Sequence, residues 1–148
     1  MKISSNSFNN LEMIPKKFGY KYENLSPSLV FDEIPKNAES LVLIMDDPDA
    51  MQAVGKIWVH WILINIPPTT KIILENSIPK NCIQGKNDFN EIGYGGPAPP
   101  DKEHTYVFRL YALSEKLEFN KEITRTALDF LMKEKIISTA ELKGRFSP

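Results

Sequence analysis

Apolar residues in this chain gather into three dense runs, separated by stretches rich in Pro, Gly and Asn. The first spans Ser40 to Asp47, where Leu41, Val42, Leu43, Ile44 and Met45 follow one another without a polar break. An unbroken run of this length predicts a strand buried on both faces, with a short buried helix as the alternative. Asp46-Asp47-Pro48-Asp49 ends it, because the residue before a proline is steered away from continuing. The second run, Ile57 to Ile66, carries both tryptophans, Trp58 and Trp61. Strict alternation places Trp58, His60, Ile62 and Ile64 on one face. The third run, Tyr106 to Leu113, sends Tyr106, Phe108 and Leu110 one way and Val107, Arg109 and Tyr111 the other.

Shorter strands are expected at Ile3–Phe8, Leu29–Phe31, Ile72–Leu74 and Cys82–Ile83, each next to turn residues. Towards the end the period changes. Ile123, Ala127, Phe130, Leu131 and Glu134 recur at helical spacing, which predicts a helix from about Lys121 to Lys135 capped by Asn120. Ser138-Thr139-Ala140-Glu141 has capping-box spacing and predicts a short last helix ended by Gly144. Many short strands and a late helical addition predict a mainly β protein, a β-sandwich with one or two C-terminal helices. Strands do not alternate with helices, which argues against a doubly wound parallel sheet.

The 148 residues show no repeat and no linker, so a single domain over residues 1–148 is expected. A net charge of −1 gives no reason to expect nucleic acid, which needs a basic surface. Cys82 is the only cysteine, so no intrachain disulfide forms and a reducing compartment is favoured. Met1 to Ser7 lacks the apolar run of a signal peptide. The longest uncharged apolar run, Ile57 to Pro68, falls short of the ~20 residues of a spanning helix. The expectation is a cytoplasmic protein with no transmembrane segment.

Three places carry candidate chemistry: Asp46-Asp47-Pro48-Asp49, Trp58-Val59-His60, and the loop Gly93–Pro100 with His104 and Tyr106 after it. The loop holds three of the seven glycines and three of the eleven prolines. Glycine permits close approach to backbone amides and proline stiffens the rest, a composition suited to a pre-formed wall. Each place also has an ordinary structural explanation. Aspartates open turns. A mid-strand histidine is often a satisfied core residue. A Gly/Pro loop is often only a tight connection. Taken singly, Asp47, Asp49 and His60 fit those explanations.

Taken together, the segments resemble the phosphatidylethanolamine-binding protein family, which includes the Raf kinase inhibitor proteins and their bacterial and archaeal relatives. The residues that carry the resemblance are Asp47-Pro48-Asp49-Ala50, Trp58-Val59-His60-Trp61 with Ile62-Leu63-Ile64-Asn65, and Gly96-Pro97-Ala98-Pro99-Pro100 leading to His104-Thr105-Tyr106. Asn24 to Leu29 and Ala140 to Phe146 extend it over nearly the whole chain, and the length resembles the shorter prokaryotic branch. Four positions depart from the usual pattern: Met51 for proline, Ala98 for glycine, Thr105 for arginine and Phe146 for tyrosine.

The resemblance implies a Greek-key β-sandwich of two antiparallel sheets, and a small pocket for phosphate-like anions or phospholipid headgroups. By family position Asp47, Asp49, Trp58, His60, Gly96, Pro99, Pro100, His104 and Tyr106 belong to it. Two imidazoles, a phenol and glycine-rich amides can donate to phosphate oxygens, and a neighbouring aspartate favours a charged imidazole. The implied function is non-enzymatic binding, with no cofactor and no metal. A kinase or protease partner and a homodimer are the associations the resemblance leaves open. The alternative is a hydrolase in which Asp47, His60 and His104 hold zinc or act as acid and base.

Overall fold

The computed structural model describes residues 1–120 and 122–148. Among these residues eight strands and two α-helices follow in chain order: β1 (Lys2–Ser4), β2 (Leu29–Asp32), β3 (Ser40–Asp47), α1 (Ala50–Val54), β4 (Trp58–Ile66), β5 (Ile72–Ile73), β6 (Ile83–Gln84), β7 (His104–Leu113), α2 (Arg125–Met132) and β8 (Ile136–Phe146). They form two antiparallel sheets, one ordered β1-β2-β5 and one ordered β6-β4-β3-β7-β8. This is the mainly β architecture of two antiparallel sheets expected from the sequence.

β3 lies at the centre of the larger sheet, and every one of its eight residues is buried. Leu41, Leu43 and Met45 join Phe31, Leu29, Phe108 and Trp61 in the core between the sheets. Val42 and Ile44 face the other way, onto Leu117, Ile123, Leu128 and Met132. A strand enclosed by a sheet on one side and a helix on the other has no face left for polar residues, hence its unbroken apolar run.

The alternation expected for β4 fails at a bulge. Met45 pairs with Trp61 and Asp46 with Val59, so His60 is an extra residue with no partner on β3. One inserted residue exchanges the faces beyond it. Trp61 and Leu63 therefore enter the core between the sheets, whereas Ile62 and Ile64 face the helix side. The grouping of Trp58 and His60 with Ile62 and Ile64 is thus corrected. β7 keeps its expected alternation, with Tyr106, Phe108 and Leu110 all in the core between the sheets.

The late elements also differ. α2 runs over Arg125–Met132 and is capped by Thr124, whose side chain accepts from the Ala127 amide at 3.1 Å. The expected start at Lys121 lies outside the described residues. The helix packs through Leu128 and Met132, and Phe130 is 78% exposed, so the apolar face is rotated from the expected one. The expected last helix is a strand: β8 pairs with β7 from His104↔Phe146 to Leu113↔Ile136. Leu142, Gly144 and Phe146 are buried in alternation, so long-range pairing overrides the local capping signal. β1 ends at Ser4, short of the Phe8 expected.

Candidate functional site

The ends of β3, β4 and β7 converge beside the loop 93–100. Bond after bond fixes this loop. The Gly93 amide donates to Gly85 O at 3.1 Å, Gly95 N to His60 O at 2.9 Å, and Gly96 N to Asn24 Oδ1 at 2.8 Å. The Pro97 carbonyl accepts from Tyr20 N at 2.9 Å, and the Tyr94 hydroxyl donates to Phe18 O at 2.8 Å. Gly93 has φ of +108°, open to glycine and strained for other residues. A Cβ at Gly96 would stand 2.0 Å from Phe18 O, so only glycine lets the loop approach that carbonyl.

The loop is a pre-formed wall, as its composition predicts, but its glycine amides are not free. All three donate within the protein, so the expectation that they would reach a phosphate is corrected.

The bulge in β4 presents His60 to the same wall. Its Nδ1–H donates to the Gly95 carbonyl at 2.6 Å, and the ring packs edge-on to Tyr106 and Phe89. Burial holds its pKa below the usual value, against the pull of the Gly95 carbonyl and the Asp47 charge. The ring is neutral near pH 7, with Nε2 as an acceptor.

His104 is held differently. Its Nδ1 lies 2.6 Å from Asp47 Oδ2 and its Nε2 2.7 Å from Asp101 Oδ1. Burial disfavours the charged ring, but the two carboxylates outweigh it and raise the pKa. The protonated imidazole thus gives both N–H groups to carboxylates, and the expected free donor is already engaged. The other Asp47 oxygen accepts from the Ala50 amide at 3.2 Å. Asp49 accepts from Thr105 N at 2.8 Å, which ties the β3 exit to the start of β7.

A cavity of about 300 Å³ opens here, lined by Tyr20, Asp47, Val54, Trp58, His60, Phe89 and others including Lys21, Ala50, Ala98 and Pro100. Of the expected residues, Asp47, Trp58, His60 and Pro100 line it. Pro99 lines a smaller neighbouring cavity that shares Lys21, Ala98 and Pro100. Gly96, His104 and Tyr106 stand behind these walls, and Asp49 is exposed at the β3 exit, outside the lining. Met51 is half-exposed on α1, and Val54 of the same helix turns to the cavity.

Sequence reasoning missed Tyr20, Phe89 and Asp101. Tyr20 and Phe89 stack with ring centroids 3.8 Å apart, and Phe89 meets Trp58 edge-on at 5.5 Å. Nothing local marks either aromatic ring. Asp101 sits three residues before His104 in a turn, and that spacing was its one available signal.

Among the described residues, only Trp58 Nε1 and Tyr106 Oη are buried side-chain polar atoms without a hydrogen-bond partner. Both belong to this site. Also among the described residues, no group of three or more His, Cys, Asp or Glu is placed to hold a metal ion. The zinc-bound arrangement of Asp47, His60 and His104 therefore gains no support from the geometry.

A chain with this fold and this pocket falls in a known class. The family model described as phosphatidylethanolamine-binding protein matches residues 4–147, and the chain belongs to that family. It is 37% identical to a UPF0098 protein of Methanothermobacter thermautotrophicus, covering 99% of this chain and 98% of the relative. It is 38% identical to a UPF0098 protein of Chlamydia trachomatis over the same shares. Among solved structures, the Chlamydia trachomatis phosphatidylethanolamine-binding protein homologue CT736 superposes with a TM-score of 0.92, at 37% identity and covering 99% of this chain and 97% of that one. YbcL of Escherichia coli, a member of the mammalian family, gives 0.91 at 28% identity, covering 99% and 98%. Family membership supports a binding protein in general terms and lends nothing to a hydrolase. No helix among the described residues is long and apolar enough to cross a membrane.

Proposed function

We propose that the chain, acting as one domain over residues 1–148, is a non-enzymatic binding protein of the cytoplasm whose pocket holds a phosphate-like anion, free or as a phospholipid headgroup. The observation that carries this reading is the unpartnered buried donor Trp58 Nε1, which belongs to a residue lining the cavity; a second such atom, Tyr106 Oη, lies behind the same walls. Buried polar groups are nearly always satisfied, so an orphan donor on a cavity-lining residue calls for a ligand or ordered water that accepts from it. Lys21 on the cavity lining adds a positive charge. The aromatic rings of Tyr20, Trp58 and Phe89 exclude water and strengthen any charge-assisted bond formed inside.

In this reading Asp47, Trp58, His60 and Pro100 meet the ligand, with Tyr106 in the layer behind them. Asp49, Gly96 and Pro99 hold the shape of the walls, and His104 stands behind them with its Nε2 covered by Asp101. A kinase or protease partner regulated by occupancy of the pocket, and a homodimer, extend the proposal. Titration of the protein with inorganic phosphate and with phosphoethanolamine, followed by proton NMR of the imidazoles, tests it. His60 and His104 resonances shift as the site fills. No response at millimolar ligand overturns the pocket assignment.

A further inference from the structure

The bond between Asp101 and His104 joins two unlike environments. The imidazole is fully out of solvent, whereas the Asp101 side chain is 42% exposed. Asp101 lies in the turn after Pro100, next to the cavity lining, and its side chain reaches inward to place Oδ1 2.7 Å from Nε2. The ring's other nitrogen is held by the buried carboxylate of Asp47. Two carboxylates thus flank one imidazole, and even with the ring protonated the three groups sum to −1. A second negative charge beside that trio is repelled.

We propose that Asp101 is a built-in competitor for the anion: its carboxylate occupies His104 Nε2, the donor an incoming phosphate would take, and so sets how tightly the site holds a ligand. The inference rests on the anion-binding reading and adds a residue that governs affinity. A carboxylate and a phosphate present the same kind of oxygen to an imidazolium N–H, so one replaces the other without loss of geometry. Release needs only a side-chain rotation in an exposed turn. Asp47 has no such freedom, since both of its oxygens are bonded and its side chain is buried. The two carboxylates therefore have different roles: Asp47 fixes the ring and Asp101 yields.

The test measures binding by NMR titration of the wild type, Asp101→Asn and Asp101→Ala with inorganic phosphate and, separately, phosphoethanolamine. The expected result is that both variants bind phosphate at least tenfold more tightly than the wild type, with His104 showing the larger shift. Glu103→Gln removes an equal charge two residues away, from a side chain paired with Arg145, and is expected to change affinity less than twofold. A gain with both ligands identifies the shared phosphate group as the replacement, and a gain with phosphoethanolamine alone assigns the headgroup. Unchanged or weaker binding in the Asp101 variants overturns the competitor, as does an equal gain in Glu103→Gln. A wild type that shifts His60 while the Asp101 variants gain nothing overturns the competitor alone. Silence in every protein overturns the pocket assignment with it.

Discussion

His104 and Asp47, 57 residues apart in the chain, meet through a 2.6 Å contact between Nδ1 and Oδ2 with both side chains buried. This contact joins β7 to the exit of β3. Breaking a buried charged pair by removing one partner leaves the other uncompensated, at a cost of about 3–5 kcal/mol. Asp47→Ala is therefore expected to lower the unfolding free energy by about 3 kcal/mol, read from urea denaturation at neutral pH. The same variant is expected to lower the pKa of His104, because the loss of one carboxylate leaves burial less opposed.

The two histidines titrate on opposite sides of the ordinary imidazole value of about 6.5. Burial keeps His60 below it, and Asp47 and Asp101 keep His104 above it despite burial. His104 faces Asp47 from β3, Asp101 from its own turn and Tyr106 from its own strand. The stability consequences have opposite signs. A folded pKa raised above the unfolded one gives His104 a contribution fully present below about pH 6.5 and lost as pH rises through its folded value. The depressed pKa of His60 costs stability as pH falls below about 6.5, where the unfolded chain takes up the proton first. Proton NMR should show two separated imidazole titrations. Urea unfolding should show a decline above about pH 6.5 that His104→Asn abolishes.

The sequence was most readable where burial was most complete. β3 needed no partner to be recognised, because a strand enclosed on both sides has an unbroken apolar run. The face reversal in β4 was hidden, because an extra residue at His60 is defined only by which residues of β3 it fails to pair with. β8 was misread for a related reason: Ser138 to Glu141 carries a helix-capping pattern, and only the pairing with β7 overrides it. At the site, Asp47, Trp58 and His60 were reached through the resemblance of whole segments. Asp101 and the Tyr20–Phe89 stack come together only in the folded chain, and so does the engagement of the loop amides by Gly85, His60 and Asn24.

Gly96 tests the rigidity of the wall. A Cβ there would sit 2.0 Å from Phe18 O, 2.9 Å from Tyr20 N and 3.0 Å from Asn24 Oδ1. Two of these atoms are backbone, so the loop or the Phe18–Tyr20 segment must move. Gly96→Ala is expected to destabilise the protein by about 2–4 kcal/mol, within the range for overpacking and strained sites. Gly55 gives the comparison: nothing lies within 4 Å of its added Cβ, and only its φ of +80° opposes a side chain. Gly55→Ala is expected to cost about 1 kcal/mol. Chemical denaturation of the two variants checks the order, and equal losses would contradict the close-approach explanation.

Asp46 gives the last prediction, on the face of β3 opposite Asp47. Its side chain is 1% exposed and receives Arg109 Nη1 at 2.7 Å on one oxygen and Arg125 Nη1 at 2.6 Å on the other. Arg109 comes from β7 and Arg125 from the first turn of α2, so one buried carboxylate ties the helix to the sheet. Two guanidinium groups on a single carboxylate neutralise it and leave a positive excess, which Glu141 and Asp129 share at 3.2 Å and 3.1 Å. Asp46→Ala removes the centre of this network and leaves two half-buried arginines facing each other. The expected loss is about 3–5 kcal/mol, the cost of breaking a buried pair. Because α2 contacts the sheet mainly through Leu128 and Met132, its amides should lose protection before those of β3 and β7. Hydrogen exchange of the variant measures this directly. Uniform loss of protection across the sheet and helix would show that Asp46 supports the whole fold and not the docking of α2.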